Sequence, residues 1–226
     1  MRYIFLDTET TGLYANQGHR IIEIAAVEIV NRRPTNHSFH FYLNPGREID
    51  PAAQEVHGIT LEFLQDKPKF VEIASDFIKF IKNSTLIIHN APFDIGFINM
   101  ELGLIEESPI EGVVANIIDT LKMAKDMRPG QRNSLDALCR FYNIDNSQRS
   151  LHGALIDAQL LAEVYLAMTR GQENLIIDFQ NVKSDIDGEK TSLHQSNLFV
   201  LKANDEELKN HEVYLTKMKG EKKLNW

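Results

Sequence analysis

The chain has 226 residues, a formal net charge of −8 and 43% hydrophobic residues, enough for one folded domain with a sizeable core plus an extension. Its single cysteine, Cys139, excludes an internal disulfide, and no apolar run approaches the ~20 residues of a membrane-spanning helix. The acidic charge argues against a protein that grips a long nucleic-acid tract by itself, because such proteins are usually basic. A strand pattern begins at once, without a signal peptide, so a cytoplasmic location is expected.

The first part of the chain predicts an antiparallel meander followed by helices. Apolar and alternating patterns predict three strands, at 3–8, 20–30 and 37–43. Helical patterns follow at 51–58, 60–65 and 70–82. The meander should therefore form one side of a sheet that these helices cover.

The next part alternates strands and helices. Strands are predicted at 85–88 and 113–118, and helices at 92–102, 120–127, 134–142 and 153–168. Together with the meander, this order predicts an α/β fold with a mixed five-stranded sheet flanked by helices. The pattern breaks after residue 170, so we expect a folded domain at 1–171, a flexible linker at 172–200 and a charged, weakly helical tail at 201–226.

Two acidic residues stand at the end of the first strand. Asp7 and Glu9 are two positions apart, so their side chains share one face of the strand. Two like charges so close together favour a cation between them. Taken alone, the segment also fits a polar turn, since Thr10, Thr11 and Gly12 follow.

Two more acids and two histidines lie near the starts of later helices. Asp94 follows a buried strand, where α/β folds gather ligands, although it could also be a first-turn acid that the helix dipole favours. Asp157 falls on the stripe of its helix that should face the core, and His152 precedes that helix on a loop. His89 is interpreted as a hydrogen-bonding residue at a strand end.

The combination predicts a site for two divalent cations. Carboxylates near an apolar core are costly to desolvate, and oxygen ligands of this kind suit Mg²⁺ or Mn²⁺. Two such ions stabilise the attacking and leaving oxygens of a phosphodiester displacement. His152 would supply the base, since imidazole accepts protons near neutral pH.

Three segments resemble the histidine-containing branch of the DEDD exonuclease superfamily, namely Asp7–Gly12, His89–Asp94 and His152–Asp157. Further stretches are similar to the proofreading subunits of bacterial DNA polymerase III, among them Arg20–Ile24, Val56–Ile59 and Arg132–Cys139. The resemblance covers about residues 2–170 densely. It implies an RNase H-like fold and 3′→5′ removal of nucleotides from a DNA 3′ terminus as 5′-monophosphates.

The resemblance also implies roles for individual residues. The metal ligands would be Asp7, Glu9, Asp94 and Asp157, and His152 would be the general base. His57 would lie near the terminal nucleotide, which Asp7, Glu9 and Asp157 would also contact.

The tail carries two partner predictions, and a third partner is predicted without a location. Gln172–Ile177 resembles a peptide that binds the sliding clamp, although a plain linker start fits equally well. The segment 201–226 resembles one that binds the polymerase (alpha) subunit, with a solvated charged helix as the alternative. A small accessory (theta-like) subunit is a further candidate partner.

Two rival functions remain open from the sequence. The first is an exonuclease of the same superfamily that trims small RNAs or tRNA; the long tail argues against it, because a free-standing trimmer needs no tether. The second is a non-catalytic subunit that only stabilises a polymerase. The complete set of acids with His152 argues against that, since a scaffold has no chemical need for them.

Overall fold

The computed structural model describes residues 1–147, 152–170 and 203–218. Contacts between residues divide the chain into two units, Met1–Leu175 and Ile176–Trp226. In the described part of the chain, no helix combines the length and the apolar character that crossing a bilayer requires.

Five strands form one mixed sheet in the first unit. They are β1 (Arg2–Thr10), β2 (Ile21–Val30), β3 (Arg33–Tyr42), β4 (Thr85–Ile88) and β5 (Asn116–Asp119). Their order is β3-β2-β1-β4-β5, with β1, β2 and β3 antiparallel and β1, β4 and β5 parallel. The predicted meander and mixed sheet are confirmed.

Seven α-helices accompany the sheet. They are α1 (Pro51–His57), α2 (Leu61–Leu64), α3 (Phe70–Ile81), α4 (Ala91–Gly103), α5 (Thr120–Met127), α6 (Leu135–Tyr142) and α7 (Ala154–Met168). All seven agree with the predicted helices to within one or two residues. The prediction of the fifth strand was wrong in its start, because Ile110–Gly112 forms a 3₁₀ turn and the N–H groups of Val113 and Val114 bond back to Ile110.

The alternation of β1 divides the core between the two faces of the sheet. Ile4 and Leu6 are fully buried on one face, in a cluster with Phe77 of α3 and residues of α4. Phe5 points to the other face, in a cluster with Leu161 of α7 and residues of α6. Each odd-numbered residue of β1 therefore lies on the α7 side, and each even-numbered residue on the α4 side.

One helix of the second unit is described, α8 (Asp205–Met218). It begins with a capping box: Asn204 Oδ1 accepts the N–H of Glu207 at 2.8 Å, and the Glu207 carboxylate accepts the N–H of Asn204 at 3.0 Å. Leu208 and Val213 are both 52% exposed on this helix. A helical element within 201–226 is thus confirmed, whereas Gln172–Ile177 and the 172–200 linker lie outside the described residues.

Candidate active site

The end of β1 presents three polar side chains to two sides of the sheet. By the alternation of the strand, Asp7 and Glu9 lie on the α7 side and Thr8 on the α4 side. Because β1 and β4 run parallel, the chain that leaves β4 emerges at the same edge of the sheet. Asp7 and Glu9 are thereby brought next to the segment that carries the third predicted acid.

The turn after β4 delivers Asp94 to this edge. Asn90 adopts a left-handed conformation, with φ 66°, which asparagine tolerates better than most residues, and it begins α4. Asp94 is 3% exposed in the first turn of that helix, and its Oδ1 accepts a hydrogen bond from Thr8 Oγ1 at 2.7 Å. Burial raises the pKa of Asp94 to about 7, although the bond from Thr8 works in the opposite direction. A cation beside Asp94 would favour its ionised form.

The start of α7 brings the fourth acid and the histidine. Asp157 is 3% exposed, and its Oδ2 lies 3.4 Å from Nδ1 of His152, whose side chain is 46% exposed. One ligand atom from each of Glu9, His152 and Asp157 can be chosen so that all three lie within 4.8 Å of one another. The end of β1 and the start of α7 therefore converge on one point.

All four predicted carboxylates and His152 line a single pocket of about 470 Å³. Oxygen donors from two buried and two half-buried carboxylates match the ligand preference of Mg²⁺ and Mn²⁺, and the unfavourable ionisation of Asp94 is what a cation would offset. The residues present therefore fit a divalent metal site, with Asp7, Glu9, Asp94 and Asp157 as the donors.

His57 does not line this pocket, although it lies close enough to His152 for the two side chains to interact electrostatically. It is the last residue of α1, is 5% exposed, and its Nδ1 accepts the N–H of Ile59 at 3.0 Å. Burial lowers the pKa of His57, while the charge of Glu23 acts in the opposite direction. Its contact with a terminal nucleotide stays a prediction.

Among the other residues of the pocket wall, three polar side chains bear on the predictions. His89 lines it, and its Nδ1 lies 3.0 Å from Thr120 Oγ1, so the predicted hydrogen-bonding role at the strand end is confirmed. Thr8 and Asp136 also line it, and neither was predicted. Asp136 lies in the first turn of α6, where the helix dipole is sufficient reason for an acid, and this concealed its position at the site.

Solved structures share this fold. Exonuclease X in complex with 5′ overhanging duplex DNA is 28% identical with a TM-score of 0.58, and the match covers 76% of this chain and 92% of that one. The nuclease domain of 3′hExo, a DEDDh family member bound to rAMP, is 18% identical with a TM-score of 0.65, covering 75% of this chain and 92% of that one. The architecture is therefore the one that these exonuclease structures share, which confirms the expected RNase H-like fold.

Sequence relatives match nearly the whole chain. The profile of the Exonuclease family (RNase_T) matches residues 4–165. DNA polymerase III subunit epsilon of Rickettsia prowazekii (strain Madrid E) is 48% identical over 96% of this chain and 97% of its own length. The protein of the same name from Escherichia coli (strain K12) is 50% identical over 95% and 92%. The chain therefore belongs to the exonuclease family and, within it, to the epsilon subunits of DNA polymerase III.

Proposed function

We propose that this epsilon-family chain, a 3′→5′ proofreading exonuclease, cuts the last phosphodiester of a DNA strand with two divalent cations and releases a nucleoside 5′-monophosphate. One observation carries the proposal: Glu9 at the end of β1 is far along the chain from His152 and Asp157 at the start of α7, yet ligand atoms of the three residues lie within 4.8 Å of one another in one pocket. The two carboxylates of this cluster repel each other, and a cation between them would remove that repulsion.

The proposed metal ligands come from both faces of the sheet. Asp7, Glu9 and Asp157 lie on the α7 side of the sheet, while Asp94 completes the set from the α4 side, where Thr8 orients it. When bound, two Mg²⁺ or Mn²⁺ ions would stabilise the charge on the attacking and leaving oxygens of the displacement. The terminal phosphodiester of the DNA would bind beside these carboxylates and their cations, so we also assign Asp7, Glu9 and Asp157 to the substrate site.

His152 is proposed as the general base. Its Nδ1 faces the Asp157 carboxylate at 3.4 Å, which favours the tautomer that carries its proton on Nδ1. Nε2 can then take a proton from the attacking water as the new P–O bond forms and the bond to the 3′ oxygen breaks. The leaving 3′ oxygen takes up a proton and becomes the new 3′ hydroxyl of the shortened strand.

Labelled single strands of DNA and RNA that have the same sequence test this function directly. We expect stepwise shortening of the DNA from its 3′ end with Mg²⁺ or Mn²⁺, no reaction with EDTA, and much slower loss of the RNA. A strand labelled at its 5′ end shows direction, since intermediate lengths accumulate only in 3′→5′ digestion. Preferred cleavage of the RNA would support the rival trimming function, and inactivity with both metals would leave only a scaffold role.

The partners are proposed from the family and from the tail. We assign the folded nuclease to 1–171, a flexible linker with a clamp-binding peptide at Gln172–Ile177 to 172–200, and the polymerase anchor to 201–226. Support for the anchor comes from α8, where Leu208 and Val213 are more than half exposed on a helix whose first turn is acidic. A small accessory subunit would complete the assembly in the cytoplasm. The linker would raise the effective concentration of the nuclease near the primer end.

Removal of the tail should separate binding from catalysis. Truncation after Arg170 leaves every residue of the proposed active site in place, so we expect hydrolysis of free single strands to change less than about twofold. Co-purification with the polymerase subunit should be lost, because the anchor is gone. As a finer test, Leu208→Ser with Val213→Ser in the full chain should weaken that binding, while Lys209→Ser with Glu212→Ser should not. Unchanged affinity of the truncated protein would place the interface on the nuclease domain.

A further inference from the structure

A buried carboxylate, Glu23, lies beside the active site but outside the set of proposed ligands. Glu23 pairs with Glu9 across β1 and β2, and directly opposite residues place their side chains on the same face of a sheet. Glu23 is 2% exposed, and its neighbours Ile22 and Ile24 are fully buried. A carboxylate in such surroundings is costly unless its oxygens are well bonded. The contacts of Glu23 therefore indicate what it does.

Both oxygens of Glu23 have partners on other elements. Oε1 lies 2.7 Å from Nε2 of His40 on β3, and Oε2 accepts the N–H of Ala154 at 3.1 Å. Tyr42 pairs with Glu23 in the β2–β3 register, and burial together with the Glu23 carboxylate raises the pKa of Tyr42. Glu23 thus connects two strands of the sheet to the helix that carries Asp157.

The contact with Ala154 lies at the N-terminus of α7, where the backbone N–H groups need acceptors from outside the helix. Ala154 is the first residue of α7, and the first N–H groups of a helix have no partner inside the helix. The preceding Gly153 has no side chain to cap them, so Glu23 provides the acceptor from the neighbouring strand. Its negative charge also suits the positive end of the helix dipole. Next to it, the N–H of His152 donates to the carbonyl of Val56 at 3.2 Å.

We propose that Glu23 is a positioning residue for the nuclease reaction. By holding the first turn of α7 against β2, it sets His152 and Asp157 at the correct distance from Glu9. The inference rests on the proposed function, since it assigns to Glu23 the alignment of groups that function uses. Glu23 is not proposed to contact a reacting atom. Its loss should therefore lower kcat through the displacement of other groups.

Two substitutions of Glu23 separate the effect of its hydrogen bond to Ala154 from the effects of side-chain packing and charge. Glu23→Met keeps the length of the side chain but removes the acceptor, whereas Glu23→Gln keeps an oxygen that can accept from Ala154. We expect the Met variant to lose about 10–100-fold in kcat on a short single-stranded DNA, with KM unchanged, because small displacements of catalytic groups cost roughly 10²-fold. The Gln variant should stay within about threefold of the unsubstituted protein. A Gln variant as slow as the Met variant would overturn the hydrogen-bond role.

Glu28 provides a matched control on the same strand. It is also buried, at 7% exposure, and it bonds to Arg2 and Thr35 rather than to α7. Glu28→Met should lower the melting temperature but leave kcat unchanged at temperatures where the protein is folded. If Glu23→Met loses no more activity than Glu28→Met, Glu23 has only a structural role. Ala154→Pro removes the donor of the same bond, since proline suits the first helical position, and it should reproduce the loss in kcat if Glu23→Met does not fold.

Hydrogen exchange gives a readout that does not require activity. In metal-free full-length protein, the amides of 155–157 should exchange faster in Glu23→Met, or in Ala154→Pro, than in Glu23→Gln and Glu28→Met; the amide of Ala154 itself is compared only among the variants that keep it, since proline has none. Unchanged exchange in that segment would overturn the positioning role even if the nuclease is active. Faster exchange in a protein that cuts neither DNA nor RNA would confirm the contact while refuting the proposed function, so the two failures are distinguishable.

Discussion

Asp7→Asn should reduce hydrolysis of single-stranded DNA by at least about 10³-fold and leave the fold intact. The substitution removes one of the charges that would hold the cations, and the ions supply several kcal/mol of transition-state stabilisation, each ~1.4 kcal/mol being worth a factor of ten. The melting temperature of the metal-free variant should equal or exceed that of the unsubstituted protein, because repulsion from Glu9 and Asp157 is relieved. Initial rates at saturating Mg²⁺ and thermal melting by circular dichroism measure both effects.

An exposed acid on α3 offers the control for this substitution. Asp76 forms a surface ion pair with Lys79, and its side chain is 75% exposed. Asp76→Asn makes the same chemical change away from the pocket and should leave the rate unaltered. A near-normal rate for Asp7→Asn would refute the assignment of Asp7 as a metal ligand.

His152→Ala should lower kcat by about 10²–10⁴-fold, the usual contribution of a general base. KM for a short oligonucleotide should change little, since the carboxylates and their cations remain to bind the terminal phosphodiester. His37→Ala is the matched control, because His37 has an exposed side chain, 77%, on β3 and does not line the pocket. A rate for His152→Ala equal to that of His37→Ala at neutral pH would remove His152 from the mechanism.

Much of the candidate site could be predicted from the sequence because the residue patterns that indicate it are local. Asp7 and Glu9 follow an apolar strand at a spacing of two, and that spacing alone fixes their common face. Asp94 and Asp157 occupy the first turns of helices whose bounds the sequence predicted to within one residue. Parallel pairing of β1 with β4 then brings the ends of these segments to one edge of the sheet.

The contacts that the sequence did not predict all cross between elements. Thr8 bonds to Asp94, which is 86 positions away, and Glu23 bonds to Ala154, which is 131 positions away. No local pattern encodes such pairs, because they depend on strand register and on how a helix packs against the sheet. Asp136 was missed for a different reason, since an acid in the first turn of a helix already has a local explanation.

The order of the site residues along the chain has a consequence for biosynthesis. The elements β1 and α4, which carry Asp7, Glu9 and Asp94, are made early, but His152 and Asp157 reach the sheet only with α7, the last described helix of the first unit. A nascent chain that ends before His152 can pair its strands and still lacks two of the five groups proposed to act in DNA cleavage. Protein synthesis adds about 5–20 residues per second, so α8, the proposed anchor, is synthesised roughly 2–10 s after Asp157. We therefore expect synthesis to leave only seconds in which a complete nuclease exists without the tail that would attach it to a polymerase.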